Sequence, residues 1–270
     1  MVNHKGRRLA VSRVLGPPDG WAYLNGDHEV GSERLGTMDD VRLRLFDTIR
    51  RTPHLTWLLL TKRIEDVMPT LERCADLCNG RQVSDVWEVL KWLCNWLNGN
   101  PPENVWLGTS VEDQEWADKR VPELLKIPAK VRWLSVEPQI GPVDLRHIQH
   151  NGEVEIDCLT GDHGVNRPLA GRSPNKVSWV ICGGESGPNA RPFDVAWAES
   201  LIQQCKLANV PVFIKQLGAK PYAVEDNPLR GRYNCSSEWQ PGRIWLKTEH
   251  KAGADPDEWP IGLNVQEFPA

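Results

Sequence analysis

Apolar and polar positions follow two different rhythms along the chain from residue 38 onward. Short continuous apolar runs, which are typical of strands buried on both faces of a parallel sheet, occur five times. These predicted strands span residues 55–60, 105–107, 131–134, 177–182 and 210–214. Between them, apolar residues recur at the spacing of one helical face. The predicted helices span residues 39–52, 64–78, 84–97 and two stretches that begin after 110 and after 194.

Polar residues at the predicted helix starts have side chains that cap helices. Asp39 or Asp40 is predicted to cap the first helix, because an aspartate oxygen accepts a hydrogen bond from a free N–H of the first turn. Ser110 with Asp113 resembles a capping box, and Asp194 is predicted to cap the last helix. The alternation of strands and helices predicts an α/β fold with parallel strands and right-handed crossovers.

The predicted domain organisation follows the same pattern. The chain of 270 residues has the length of one α/β barrel-like domain, and the strand–helix units occupy residues 38–218. Residues 1–37 are rich in glycine, proline and charge without a clear period, so an irregular N-terminal segment is expected. Residues 147–176 have the composition of a polar insertion. Residues 219–270 are expected to form an irregular tail packed on the barrel.

Composition and charge limit the classes of protein to which the chain can belong. No apolar run reaches about 18 residues, the length that indicates a membrane span. The formal net charge of −4 is not the basic footprint of a nucleic-acid-binding protein, so that partner is weakly supported and depends on basic residues between 42 and 63. Seven cysteines at irregular spacing, without a secretory signal, favour free thiols and a cytoplasmic location.

Every predicted strand ends at polar or ionisable residues. Since ligands bind at the carboxyl ends of parallel strands, these residues are expected to converge on one pocket. They are Thr61, Lys62, Arg63, Ser110, Glu112, Glu137, Gly183, Gly184, Glu185, Ser186, Lys215 and Gln216. The two lysines are expected either to bind a carboxylate or phosphate, or to form salt bridges with the glutamates. Glu112 and Glu137 permit acid–base chemistry only if their side chains lie close together.

The segment Gly183-Gly-Glu-Ser-Gly187 carries the most information about a ligand. Two glycines at a strand end let a ligand approach backbone N–H groups, and Glu185 can hold an amino group or accept a proton. The alternative interpretation is a tight strand-to-helix turn. The segment is neither a dinucleotide fingerprint nor a phosphate-binding loop, because the required glycine and lysine spacings are absent.

Metal-binding patterns are weak in this sequence. Cys74 and Cys78 fall on one apolar helical face, which favours packing in the core. A zinc cluster from the polar insertion is the weaker alternative, because the spacings there match no common ligand pattern. Its four candidate ligands are His147, His150, Cys158 and His163. No metal site is therefore predicted.

Several of these segments form an ordered series. They are LLLTKR (58–63), NVWLGTSVE (104–112), LSVEP (134–138), WVICGGESGP (179–188), ARP (190–192), VFIKQ (212–216) and DPDEWP (255–260). Together they resemble the phage and prophage family called phage protein Gp-thirty-seven/Gp-sixty-eight, over about residues 38–222 and 253–269. Members of that family resemble radical S-adenosylmethionine proteins and are distantly similar to spore photoproduct lyase.

The resemblance implies a radical-SAM-like barrel, S-adenosylmethionine as cofactor, and a C-x3-C-x2-C loop that holds a four-iron four-sulfur cluster. This chain departs from the pattern, because residues 1–37 contain no cysteine and Cys74, Cys78 and Cys94 have other spacings. The expected fold is therefore a partial, open TIM-like (β/α) barrel of about five parallel strands, truncated at its first strand and without its own cluster. Whether the cluster segment was lost or lies upstream of Met1 stays open.

The resemblance also suggests roles for the residues at the strand ends. The cofactor-binding residues would be Ser110, Glu112, Gly183, Gly184, Glu185 and Ser186. The catalytic residues would be Lys62, Glu137 and Lys215. The substrate-binding residues would be Thr61, Arg63 and Gln216.

Two other functions compete with a radical-SAM-like protein of unknown substrate. One is a non-catalytic module of a mobile element that binds a nucleotide-like small molecule or a partner protein. The other is a metal-dependent hydrolase that uses Glu112, Glu137 and the region of His147 and His150. A barrel without its first strand would expose unpaired backbone groups. A homodimer, a partner protein or residues 1–37 are therefore expected to cover that edge.

Overall fold

A computed structural model describes residues 37–79, 84–150, 154–164, 175–224, 235–240 and 242–269. The irregular segment expected over residues 1–37 therefore lies outside the described residues, except for Thr37. Within the described ranges, no helix combines the length and the apolar character that crossing a membrane requires.

The described residues contain five α-helices close to the predicted positions. They are α1 (Met38–Arg51), α2 (Val67–Asn79), α3 (Ser84–Leu97), α4 (Gln114–Lys126) and α5 (Val195–Leu207). A short 3₁₀ helix, Ile64–Asp66, leads into α2, so Pro69 lies in the first turn of that helix, where its missing N–H costs nothing. A second 3₁₀ helix spans Pro256–Glu258.

The strands of the described residues, numbered in chain order, form three sheets. They are β1 (Trp57–Thr61), β2 (Val105–Ser110), β3 (Val131–Val136), β4 (Ile148–His150), β5 (Val154–Asp157), β6 (Asp162–Gly164), β7 (Trp179–Gly183), β8 (Phe193–Asp194), β9 (Val212–Gln216), β10 (Pro221–Val224), β11 (Cys235–Gln240) and β12 (Arg243–Leu246). The sheets have the orders β1-β2-β3-β7-β9, β11-β12-β10-β8 and β4-β5-β6.

The five predicted parallel strands are confirmed, and they form the first of these sheets. In the register of β3 with β7, Trp133 is paired with Trp179, and in that of β7 with β9, Val180 is paired with Val212. The strands follow one another in the sheet in the order of the chain. The described residues do not close this sheet into a barrel.

The chain divides into two compact units, described here one at a time. The first comprises Met1–Leu107 and Ile127–Lys130, and its described part contains α1, α2, α3 and β1. Aromatic rings form part of its core, since Trp96 is almost fully buried and its ring centroid lies 5.5 Å from that of Trp92. The Trp96 indole N–H donates to the Pro128 carbonyl at 2.7 Å, so the buried nitrogen is satisfied.

The second unit comprises Gly108–Lys126 and Val131–Ala270, and it contains the carboxyl ends of four of the five parallel strands. Gly108 lies against the Trp133 indole, where an added Cβ would be 2.4 Å from a ring atom, so only glycine fits there. The outer edge of β9 is covered by the chain itself. Ile214 N–H donates to the Val265 carbonyl at 2.8 Å, and Glu267 N–H donates to the Val212 carbonyl at 3.0 Å.

Two segments contain more regular structure than the sequence analysis expected. The polar insertion forms the antiparallel sheet β4-β5-β6. The tail expected to be irregular contains β10, β11 and β12, which join β8 in a sheet. Their short strands and turns carry little periodicity, which is why the pattern of apolar residues did not reveal them. The bounds predicted for the barrel domain itself stay a prediction.

The helix caps differ from the prediction at two of three positions. Thr37 caps α1 through a hydrogen bond from Asp40 N–H, so neither Asp39 nor Asp40 is the cap. Asp113 caps α4 by accepting from Trp116 N–H at 3.1 Å, while Ser110 is the last residue of β2. Asp194 caps α5 as predicted, accepting from Ala196 N–H at 3.0 Å.

Candidate functional site

The loops that follow β2, β3, β7 and β9 in the second unit are joined by backbone hydrogen bonds. Ile140 N–H donates to the Glu112 carbonyl at 2.9 Å, and Gln139 N–H donates to the Gly183 carbonyl at 2.9 Å. Ala219 N–H donates to the Glu185 carbonyl at 2.8 Å. These contacts hold four strand ends at one edge, called here the carboxyl edge and comprising residues 110–112, 136–140, 182–187 and 215–218.

Glu137 and Lys215 form a salt bridge between the ends of β3 and β9. The Lys215 Nζ lies 2.8 Å and 2.9 Å from the two carboxylate oxygens of Glu137. The lysine side chain is 38% exposed and the glutamate side chain 16%, so the lysine is the more accessible member of the pair. The pair places a cation and an anion side by side at an accessible position.

Gln216 connects this salt bridge to the glycine-rich loop. Its amide nitrogen donates to Glu137 Oε1 at 3.2 Å and to the Gly184 carbonyl at 2.9 Å. One side chain therefore fixes the Glu137 carboxylate relative to the loop that follows β7. Gln216 was predicted to bind substrate, and that role stays a prediction. What the structure shows is that its side chain holds the Glu137 carboxylate in place.

Glu112 forms a different kind of salt bridge, with Arg120 of α4. The Arg120 Nη1 donates to Glu112 Oε2 at 2.8 Å and to the Ser110 carbonyl at 2.9 Å, and both charged side chains are only 9% exposed. The guanidinium carbon lies 3.9 Å from the centroid of the Trp116 ring, a cation–π contact. Glu112 and Ser110, predicted to bind a cofactor, thus meet a buried arginine.

Glu185 accepts hydrogen bonds from both the main chain and the side chain of Arg191. Its Oε2 lies 3.0 Å from the Arg191 backbone nitrogen and 2.8 Å from Nε. The side-chain and backbone hydrogen bonds from Arg191 lower the pKa of the Glu185 carboxyl. The pKa of Arg191 is raised, mainly by Glu185 and additionally by the charge of Glu112, so Glu112 lies within electrostatic reach of this pair.

The glycines of the loop after β7 make room for another part of the same chain. A Cβ on Gly184 would lie 2.2 Å from the Leu217 carbonyl oxygen, and one on Gly183 would lie 3.2 Å from the Gln216 carbonyl oxygen. The sequence analysis expected a ligand to lie close to these glycines. In the structure, the backbone of Gln216 and Leu217, at the end of β9, occupies that space instead. Ser186, next in the loop, is exposed.

A buried polar contact lies beneath the edge. The Cys182 thiol is fully buried and lies 3.2 Å from the Gln139 side-chain oxygen, which is itself almost fully buried. Burial, and secondarily the charge of Glu137, raises the pKa of the Cys182 thiol far above its usual value. Cys182 is thus a neutral core thiol in this structure.

The remaining predicted residues lie in the first unit, at the carboxyl end of β1. Thr61 is buried and its hydroxyl accepts from Arg63 N–H at 3.0 Å, which closes the turn into the next helix. Arg63 pairs with Asp66 at 2.6 Å, and Lys62 is exposed. The basic residues Arg42 and Arg50 likewise pair with aspartates three residues away. The structure therefore adds no support for a nucleic-acid-binding face in these arginines.

The described cysteine side chains are mostly part of the core. Five of the six are buried, and burial raises the pKa of both Cys74 and Cys205 to about 12. Among the described residues, no three histidine, cysteine or acidic side chains group as metal ligands would. The side chains of His150 and His163 lie outside the described part, so the zinc alternative and the hydrolase alternative stay predictions.

Sequence reasoning gave no role to three residues that organise this site: Arg120, Gln139 and Arg191. Arg120 had a detectable signal, because it is a lone arginine between Ala117 and Leu124 on an otherwise buried helical face. Such a charge is expected to have a buried partner. Arg191 lies in the ARP segment (190–192) of the ordered series but was given no role there, and Gln139 had no signal, since its partners are set by loop geometry.

The family comparison covers most of the chain, while comparisons with individual proteins found no match. A family model described as a protein of unknown function, DUF5131, matches residues 35–253. No curated protein and no solved structure matches the chain. The matched range includes the whole carboxyl edge of the second unit. The chain therefore belongs to the DUF5131 family of proteins of unknown function.

Proposed function

We propose that this chain binds S-adenosylmethionine, or a close analogue with the same amino-acid end, at the carboxyl edge. In this proposal it is a radical-SAM-like protein of the phage and prophage type that does not carry its own cluster. The observation that carries the proposal is the salt bridge between Glu137 and Lys215, whose lysine is partly exposed. An amino-acid zwitterion has one ammonium and one carboxylate, so this pair can exchange its internal contact for two contacts with the ligand.

The roles of the individual residues follow from their positions. Glu137 would accept the ligand ammonium, and Lys215 would donate to the ligand carboxylate. Gln216 would keep the Glu137 carboxylate in place through its hydrogen bond of 3.2 Å. Glu112 and Arg120 would stabilise the edge from below, because both side chains are buried and already paired. Binding and orientation are thus the tasks of this edge, and no chemical step is assigned.

The strand order supports a barrel-like architecture for the binding site. In the sheet β1-β2-β3-β7-β9, neighbours in space are also successive parallel strands in the chain. Barrels have this order, whereas doubly wound sheets reverse their order near the middle. We therefore propose that the open sheet is a partial (β/α) barrel, whose ligand lies at the carboxyl ends of its strands.

Calorimetric titration with S-adenosylmethionine tests the proposal. Lys215→Met and Glu137→Gln are each expected to weaken binding about tenfold, since each removes one charge-assisted contact. Lys119→Met, an exposed lysine on α4, serves as the matched control and should bind like the wild type. Methylthioadenosine lacks the amino-acid end, so its weaker binding should not respond to Lys215→Met. Equal responses to both ligands, or no binding at all, would contradict the proposal.

Anaerobic reconstitution with iron and sulfide tests the absence of a cluster. The described cysteines are mostly buried thiols with raised pKa values, so we expect no absorbance of a four-iron four-sulfur cluster. A stoichiometric cluster with that absorbance would refute this half of the proposal while leaving the ligand site standing. The titration and the reconstitution can therefore refute the ligand site and the absence of a cluster separately.

A further inference from the structure

Two large aliphatic side chains beside α5, one at the end of the helix and one in the C-terminal loop, are exposed. Leu207, at the end of the helix, is 69% exposed, and Ile261, in the loop after the last 3₁₀ helix, is 72% exposed. Both border one open groove of about 470 Å³, together with Ile202 and Gln203 of the same helix. Large aliphatic side chains that share one exposed groove are typical of a surface that another molecule covers.

The charges beside this groove are arranged symmetrically along α5. Glu199 and Lys206 border it and are seven residues apart, which places them two turns apart on one helical face. Ile202 and Gln203 lie midway between them. An antiparallel helix with the same sequence would therefore set its lysine against Glu199 and its glutamate against Lys206, with the polar, exposed Gln203 between them and Ile202 buried beneath.

We propose that this groove is a dimer interface, in which α5 of one copy packs antiparallel on α5 of a second copy. A twofold axis between Ile202 and Gln203 makes every contact occur twice, as in an isologous interface. The charge pattern of the helix selects the occupant, because Glu199 and Lys206 are complementary to themselves only in this orientation. Leu207 and Ile261 of each copy would be covered by the other.

The interface expected from the sequence lies elsewhere, at the strand edges that a missing first strand would expose, and it stays a prediction. The edge of an incomplete barrel was expected to recruit a second copy through unpaired backbone groups. At β9, however, the backbone of Val212 and Ile214 is paired with residues 265–267 of the same chain. Leu207 at the end of α5 and Ile261 beside it are exposed, so a second copy could cover them.

Sedimentation velocity over a range of protein concentrations tests the proposal with a charge exchange. Glu199→Lys and Lys206→Glu each create two like-charge contacts in the dimer, so each should raise the dissociation constant about tenfold. The double variant Glu199→Lys/Lys206→Glu restores both opposite-charge contacts and should return the constant to near the wild-type value. Leu207→Ser should also weaken the dimer without any change in charge.

The matched control exchanges charges on α4, where Glu115 and Lys119 form an exposed pair. Glu115→Lys/Lys119→Glu should leave the dissociation constant unchanged. Thermal unfolding of each variant separates loss of the dimer from loss of the fold, since Glu199 also interacts within its own chain. A wild-type chain that stays monomeric at every concentration would overturn the proposal. A double variant that dissociates as readily as the single variants would overturn it as well.

Discussion

The salt bridges Glu112–Arg120 and Glu185–Arg191 have the same chemistry in opposite surroundings. In the first, both charged side chains are 9% exposed, and the arginine also donates to a backbone carbonyl. In the second, the arginine is 51% exposed and the glutamate 32%, and both residues belong to one short loop. The first pair is almost completely buried, whereas the second is substantially exposed to solvent.

The difference determines what each pair can do at the carboxyl edge. A buried charge that loses its partner pays the full cost of desolvation, so the Glu112–Arg120 pair holds the edge together. An exposed pair contributes little to stability and exchanges its contacts readily. Glu137–Lys215 lies between these extremes, since its glutamate side chain is 16% exposed and its lysine side chain 38%. The pair with one exposed member is the one suited to bind a ligand.

The largest effect is expected from Arg120→Met, which removes the arginine that forms the buried salt bridge with Glu112. The free energy of unfolding should fall by about 3–5 kcal/mol, measured by urea denaturation. The matched variant Arg191→Met removes the exposed arginine and should cost below about 1 kcal/mol. Equal losses for the two variants would mean that burial does not distinguish these pairs.

The double variant Glu112→Leu/Arg120→Met sharpens the same comparison. The Arg120 Nε is buried without a hydrogen-bond partner among the described residues, so the native pair is incompletely satisfied. Removing both charges should therefore cost less than Arg120→Met alone, by about 1 kcal/mol or more. An additive loss would indicate that the two charges are not coupled.

An intermediate effect is expected from Gly184→Ala, which alters the loop between the two kinds of salt bridge. The added Cβ would lie 2.2 Å from the Leu217 carbonyl oxygen, so backbone must move, at a cost of about 1–3 kcal/mol. Gly141→Ala is the control, because its Cβ would meet only Asp113 Cβ at 3.4 Å, an ordinary contact. Urea denaturation measures the free energy of unfolding of both variants. Equal values would show that the loop accommodates the added Cβ without strain.

The smallest effect concerns pH and the exposed pair. Arg191 lowers the pKa of Glu185 in the folded state, so the pair stabilises the fold above the unfolded pKa of this carboxyl. That contribution is lost as the pH falls through the lowered folded value. Because both side chains are substantially exposed, the loss should stay below about 1 kcal/mol. Unfolding at neutral pH and at about pH 3 should differ less in Arg191→Met than in the wild type; an equal difference would contradict this.

Much of the fold was predictable because its signals are local. Continuous apolar runs identified all five parallel strands, and helical spacing placed α3 at residues 84–97. The strands β10 to β12 were not predicted, since β10 and β12 are only four residues long and pair with partners distant in sequence. The edge residues were predicted as a set because parallel strands end together. Their individual partners were not, since Arg120 and Arg191 reach them from a helix and a loop.

The sequence by itself determined the parallel sheet and the polar edge at its carboxyl ends, because apolar periodicity and strand direction are written in neighbouring residues. Only the tertiary structure decided which glutamate is buried, which lysine faces solvent and which glycine is crowded by backbone. Burial and electrostatic environment depend on segments that are far apart in the chain. Residues of the same type, such as Glu112 and Glu185, therefore acquire different roles only when the fold places them.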